Sequence, residues 1–161
     1  MYHGWDGFSS SRGAGVVQIE GTYAFKAKRQ AVWDAFQSPK SLTSCIPGCE
    51  RFEPDGEGGY DVSMKVSIGP ITGAYRAKIT LSEQQAPSSF KMAVRGSGTG
   101  GTIAGEGMLT LAEKDGGTEV TVRGDAQVGG VVARVGQRLL GSASKSLLDK
   151  FFSCIASKIE G

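Results

Sequence analysis

The sequence is short of histidine: the single one, His3, lies in a Gly- and Ser-rich stretch at the N-terminus. A Ser-His-Asp triad, a Cys-His pair, an H-E-x-x-H zinc site and the usual imidazole general base are therefore excluded from the body of the chain. Cysteine is scarce too. Cys45, Cys49 and Cys154 are odd in number, which suits reduced thiols in the cytoplasm better than a secreted disulfide framework. Cys45 and Cys49 are expected to be free and structural, because their i, i+4 spacing across a turn disfavours a bond between them. Two thiols without a second ligand pair cannot close a zinc tetrahedron, and three cannot hold an iron-sulfur cluster that needs four.

Neither sign of charge dominates. Lys and Arg number 18 against 16 Asp and Glu, for a formal net charge of +2, which lacks the concentrated basic stripe of a nucleic-acid binder. No run approaches the ~20 apolar residues of a membrane span. Residues 1–15 (MYHGWDGFSSSRGAG) have no apolar core of a signal peptide; they read as a leader, flexible or added for expression, ahead of a single domain over 16–161. What the chain has in excess is glycine, 25 of 161 residues, roughly twice the usual share and without a collagen period. Such a chain turns often and packs its backbone closely.

Hydrophobic periodicity organises the domain. Val17, Ile19, Tyr23 and Phe25 alternate with polar residues as a half-buried strand does. Val32, Trp33 and Phe36 then stand at helical spacing, Ser38-Pro39 opens a second short helix, and Ile46-Pro47-Gly48-Cys49 is a turn. Alternation returns at Tyr60–Ile68, Tyr75–Leu81, Phe90–Val94, Thr102–Ala112 and Thr118–Val128, with turns at Gly69-Pro70 and Asp115-Gly116-Gly117. Beyond Gly129-Gly130 the period lengthens. Val131, Val132, Val135, Leu139, Ala143, Leu147, Phe151, Ile155 and Ile159 trace one amphipathic helix of about 30 residues, or ~45 Å. Glycines at 136 and 141 within it call for close helix-on-sheet packing or for a ligand that needs the space. The expected architecture is α+β: a curved antiparallel sheet of about seven strands, one apolar face, wrapped around a long C-terminal helix, with two short helices after the first strand closing one end. That arrangement often leaves an internal cavity.

Two motifs need weighing. Gly96-Ser97-Gly98-Thr99-Gly100-Gly101 matches G-x-G-x-x-G, but the following TIAGEGMLTL alternates like a strand, whereas a dinucleotide site needs a helix there. It reads as a glycine hairpin. Glu106, Glu113, Glu119 and Asp125 read mostly as a solvated face. Glu106, between Ala104 and Met108 in the alternation, becomes a polar anchor if it points inward, alone or with Tyr75 or Arg138.

Several segments together resemble a known family. Val32-Trp33-Asp34-Ala35, Ser38-Pro39, Ile46-Pro47-Gly48-Cys49-Glu50, Ile68-Gly69-Pro70-Ile71-Thr72-Gly73, the glycines from 96 to 101, Gly129-Gly130, Gly136 with Arg138, and Phe151-Phe152 are similar to the carbon monoxide dehydrogenase G-subunit family, from about Val17 to Ala156. The resemblance implies the helix-grip fold of the START-like, or polyketide cyclase-like, superfamily. It also implies a non-catalytic accessory of a molybdenum hydroxylase such as carbon monoxide dehydrogenase, acting in assembly, membrane recruitment or electron hand-off. The expected location is the cytoplasm, with peripheral contact at the inner face of the membrane. A small cyclase or hydrolase, or a pure interaction module, is the alternative.

The expected ligand is an elongated apolar molecule, a quinone or lipid, held between sheet and helix with no covalently attached cofactor. Its candidate contacts are Trp33, Phe36, Leu42, Ile46, Pro47, Met64, Val66, Ile68, Tyr75, Ile79, Phe90, Met92, Met108, Val135, Leu139 and Ser142, with Glu106 and Arg138 as polar anchors. No catalytic or metal-binding residue is assigned. The mouth is expected at residues 42–49 facing 131–135, since a short apolar loop with few buried contacts opens readily.

Overall fold

The computed structural model describes residues 15–68, 71–130 and 137–160. Strand β1 (Gly15–Phe25) leads into two short helices, α1 (Arg29–Phe36) and α2 (Pro39–Cys45). Six strands follow: β2 (Cys49–Pro54), β3 (Gly59–Ile68), β4 (Ile71–Gln85), β5 (Ser89–Gly98), β6 (Gly101–Lys114) and β7 (Gly117–Gly129). Helix α3 (Gln137–Glu160) closes the described chain. All seven strands form one antiparallel sheet in the order β1-β7-β6-β5-β4-β3-β2. The meander from β2 to β7 thus returns its last strand to the first. The side chain of Ile68, the turn expected at 69–70 and the helix start expected at 131–136, with the candidate contact Val135, lie outside the described residues.

Local chemistry explains the joints. Asp115 and Gly116 both have positive φ, 51° and 80°, the two-residue hairpin geometry whose twist matches that of the strands it connects. Ser38 caps α2 by accepting from the Ser41 N–H, with Pro39 in the first turn where its missing N–H costs nothing. The G-x-G-x-x-G segment is a hairpin: β5 ends at Gly98, β6 begins at Gly101, and no helix follows.

The register sorts the side chains. Leu109 faces Val122 and Phe90, and Leu111 faces Val120, on the concave side; Met108 pairs with Lys91 and Arg123, and Glu106 with Ala93 and Asp125, on the convex side. The expectation that Met108 and Glu106 face the interior is therefore corrected. Gly105 and Gly107 occupy the concave positions of that stretch, so its inward face carries no side chain to reveal the phase. Glu106 instead meets Lys91, whose Nζ lies 3.6 Å from its carboxylate and 3.5 Å from that of Glu83.

The core centres on Phe36 of α1. Its ring lies 5.8–6.4 Å from those of Phe25, Phe90, Phe151 and Phe152, joining β1, β5 and α3. Edge and offset contacts of this kind add to the free energy of simple burial. Helix α3 makes its close backbone approaches to β1, α2 and α1. Tyr23 fastens the first of these, stacking on Phe152 at 4.2 Å and donating a 2.8 Å hydrogen bond to Asp149. Lys26 N–H adds a bond to the Glu160 carboxylate.

The inward stripe of α3 is Leu140, Leu147, Leu148, Phe151, Phe152 and Ile155. Gly141 and Ser142 are not buried; Gly141 is exposed and Ser142 is exposed with it, which corrects both the close packing expected at Gly141 and the cavity position expected for Ser142. A Cβ added at Gly141 meets nothing within 4 Å. Gly141→Ala is expected to stabilise the protein by about 0.5–1 kcal/mol, read as a rise in Tm of roughly 1–4 °C in a domain of this size. No change or a fall would place an unseen neighbour against this turn of the helix.

The Tyr23–Asp149 pair gives stability a pH dependence. Burial, then the hydrogen bond to Asp149 and its charge, push the Tyr23 phenol up to about 12. The Lys145 ammonium, then the Tyr23 hydroxyl, hold the Asp149 carboxyl below its ordinary value. The raised Tyr23 value stabilises the fold fully below pH ~10 and loses that contribution as pH rises toward 12; the lowered Asp149 value stabilises above pH ~4 and loses it on further acidification. Tyr23→Phe keeps the ring stack and is expected to flatten both limbs of a stability-versus-pH curve, most clearly between pH 10 and 12.

Candidate functional site

A cavity of about 230 Å³ lies between the concave face of the sheet and the helices. Its floor is Phe52 of β2, Tyr60 and Met64 of β3, Ile79 and Leu81 of β4, Phe90 and Met92 of β5, Leu109 of β6 and Val122 of β7. Phe36 of α1, Leu42 of α2, and the Ile46-Pro47 turn close one end, while Leu147, Leu148, Phe151 and Phe152 of α3 form the roof. Alternation places every strand residue of this set on the same face. Only the Tyr60 phenol among these side chains can form a hydrogen bond. The volume exceeds the ~150 Å³ of apolar cavities that stay dry and take up benzene, and falls below the ~300 Å³ where drug-sized pockets begin. It therefore fits a ring system or a short hydrocarbon segment. Met64 and Met92 give the wall flexible, polarisable side chains that adapt to shape.

Of the expected contacts, Phe36, Leu42, Ile46, Pro47, Met64, Ile79, Phe90 and Met92 are brought together in this wall. Trp33 is buried behind it, edge-on to Phe90 at 5.4 Å. Val66 and Tyr75 lie further along the concave face, packed against Val17, Val128 and Leu140. Leu139 is half-buried beside the true inward residue Leu140, and Arg138 is exposed. Glu106 and Tyr75 sit on opposite faces of the sheet, so they form no joint polar cluster. The residues not anticipated are Phe52, Tyr60, Leu81, Leu109, Val122, Leu147, Leu148, Phe151 and Phe152. For Leu81 and Leu109 the signal was present, since Leu81 continues the Ile79 alternation and Leu109 is in phase with Leu111.

The turn at the cavity's end is pinned. Gly48 has φ +76°, and a Cβ there would collide with the Lys65 carbonyl, while the Lys65 N–H donates to the Gly48 carbonyl at 2.9 Å. Ile46, Pro47, Leu147, Leu148 and Phe151 are half-buried, so the cavity reaches the surface between this turn and α3.

Cys45 is not free. It forms a disulfide with Cys154 of α3, with Cα atoms 5.4 Å apart and a sequence separation of 109. Spacing within the 45–49 segment could not reveal it, because the partner arrives only when α3 docks. Cys49 remains a free thiol, and burial pushes its pKa up, which keeps it protonated and weakly reactive. Alkylation of the unreduced, denatured protein is expected to label one thiol, and after reduction all three. Cys154→Ser is expected to cost about 2–4 kcal/mol in chemical denaturation; three labelled thiols without reductant would contradict the bond.

The curled sheet gripping a terminal helix over an apolar cavity defines a helix-grip protein of the START-like, polyketide cyclase-like class. Solved structures agree. The Zhui aromatase/cyclase from Streptomyces sp. R1128 superposes with a TM-score of 0.65 at 12% identity, covering 91% of this chain and 94% of its own. Ara h 8.0201 does so at 0.63 and 15%, covering 90% and 98%. A conserved protein from Geobacillus kaustophilus is more similar, with a TM-score of 0.86, 33% identity, and coverage of 89% of this chain and 95% of that one. No curated protein matches the sequence. The family model for the G subunit of carbon monoxide dehydrogenase, CoxG, matches residues 21–160, and the chain belongs to that family.

Proposed function

We propose that this protein binds part of an apolar molecule, the ring or tail segment of a quinone or lipid, and is an accessory without catalysis of its own. The observation that carries this is the wall of the cavity. Among the described residues it presents aliphatic and aromatic carbon, two thioethers and one phenol, and no carboxylate, amine, thiol or hydroxymethyl group to act as acid, base or nucleophile. Such a wall gains free energy by taking apolar surface out of water, at roughly 25 cal/mol per Å². Among the described residues of the wall, the Tyr60 phenol alone could meet a developing charge.

The partner is inferred from the family, whose description names carbon monoxide dehydrogenase. A molybdenum hydroxylase of this kind is the enzyme that the protein assists, in assembly, membrane recruitment or electron hand-off. No described helix is long and apolar enough to cross a membrane. Any membrane contact is thus peripheral on the part of the described helices, and the half-buried Ile46, Pro47 and Leu147 at the cavity's opening are where an apolar molecule enters.

Solvent extraction of the purified protein followed by mass spectrometry is expected to release an isoprenoid quinone or lipid, or a short-tailed quinone is expected to raise Tm when added. Met92→Trp fills the cavity and is expected to abolish both effects while leaving the fold intact by circular dichroism. Hydrogen exchange at residues 42–49 should slow on binding to the wild type. No bound molecule and no stabilisation by quinone or lipid would sink the reading.

A further inference from the structure

Beyond the cavity wall, the concave face carries a polar atom that no described residue binds. The Tyr75 hydroxyl is buried and has no hydrogen-bond partner among the described residues. Of the other buried atoms without a hydrogen-bond partner, those of Glu106 and Gln127 belong to the convex face by register, and those of Arg29, Gln37 and Asp55 lie off the sheet strands. Tyr75 stands opposite Met64, a cavity residue, across the β3–β4 pair, and its ring reaches the Val17, Val128 and Leu140 cluster on the far side of the concavity. Tyr75 is not itself part of the cavity wall; it lies on the same concave face just past Met64, which is.

The backbone is arranged to hold that ring where it is. Gly98 pairs with Tyr75 across β4–β5, and a Cβ at Gly98 would overlap the Cγ and Cδ2 atoms of the ring. That Cβ would also collide with the Ala74 carbonyl, so the glycine serves the close approach of β4 as well as the ring. A phenylalanine would fill this place with no unpaired donor, and a buried hydroxyl without a partner is unfavourable in the free protein. The group makes physical sense when something else supplies the acceptor.

We propose that Tyr75 is a specificity residue: its hydroxyl donates a hydrogen bond to an oxygen on the bound molecule, so the ligand is an apolar molecule carrying a carbonyl at the end that lies toward Leu140. This rests on the cavity reading of the previous subsection and adds to it the chemistry of the ligand's inner end. Apolar walls discriminate weakly between molecules of similar shape. A buried donor that needs an acceptor rejects the analogue lacking one much more strongly.

The test uses two probes of matched shape, 2-acetylnaphthalene and 2-ethylnaphthalene, which differ by a carbonyl oxygen. Titration with the wild-type protein is expected to show the ketone binding about tenfold more tightly than the hydrocarbon. Tyr75→Phe is expected to remove that preference, leaving the affinity for 2-ethylnaphthalene within about twofold of the wild type. In the ligand-free state Tyr75→Phe is expected to keep or raise Tm, because no bond is lost. A ketone preference that survives in Tyr75→Phe, equal binding of the two probes by the wild type, or a clear drop in ligand-free Tm would each overturn the role of Tyr75 while leaving the cavity reading standing. Failure of both probes to bind the wild type would remove the cavity reading and this proposal together.

Discussion

The concave face of a seven-stranded sheet is wider than one helix can cover, and most of this structure follows from that mismatch. Helix α3 lies close to β1 at one edge and against the two short helices. Over β3, β4 and β5 the side chains of the sheet and of α3 face each other across the gap, and the cavity is what they leave unfilled. A sheet of this curvature with a single helical cover either fills its middle with large side chains or keeps a space there. Here it does some of each: Phe36, Phe90, Phe151 and Phe152 occupy part of the middle, and beyond them methionine, leucine and isoleucine, with Phe52 and Tyr60 at the β2–β3 edge, line a space.

Because the helix touches the sheet mainly along one edge, its position depends on a few ties. Tyr23 to Asp149 and Lys26 to Glu160 fix it to β1, and the Cys45–Cys154 bond fixes it to α2. These lie on two sides of the roof. The bond also fixes one end of the Ile46-Pro47 turn, whose other end is held by the Gly48–Lys65 pairing. The opening is thus a short segment between two anchors, so a molecule passing there displaces side chains rather than a free loop. Two of three cysteines being paired also removes the basis for inferring a reducing compartment from cysteine usage.

Six of the seven strands and the helices were legible because period 2 and period 3.6 are separable over long stretches, and the turns at Ser38-Pro39 and Asp115-Gly116 carry their own chemistry; β2, six residues with Phe52 its one buried side chain, is too short to show a period. What failed was phase. In β6 the concave positions Gly105 and Gly107 have no side chains, so the pattern is set by Ala104, Glu106 and Met108, which belong to the other face. In α3 the expected stripe holds at Leu147, Phe151, Ile155 and Ile159 and misses only in the first turns, where Leu140 rather than its neighbour Leu139 is the buried residue and Ser142 is exposed. Met64, Ile79, Phe90 and Met92 were found because each sits in a strand with an unbroken alternation. The disulfide was out of reach for a different reason: a bond at a sequence separation of 109 is a property of the docked helix and not of any local spacing.

The glycines show how unequal the causes behind one composition can be. At Gly48 the chain needs a positive φ beside a neighbouring carbonyl, and at Gly98 it needs an absent side chain beside both the Ala74 carbonyl and the Tyr75 ring. At Gly141 the described structure needs neither. The G-x-G-x-x-G string therefore resembles a nucleotide motif because two separate requirements, a hairpin and a close approach of β4 to β5, fall within six residues. The Tyr75 ring lies at that approach, and its phenol is held in the interior without a partner among the described residues. A protein that only needed to fill its core would gain from phenylalanine at that position, so retention of the hydroxyl there argues for a trough matched to a polar end as well as to an apolar body.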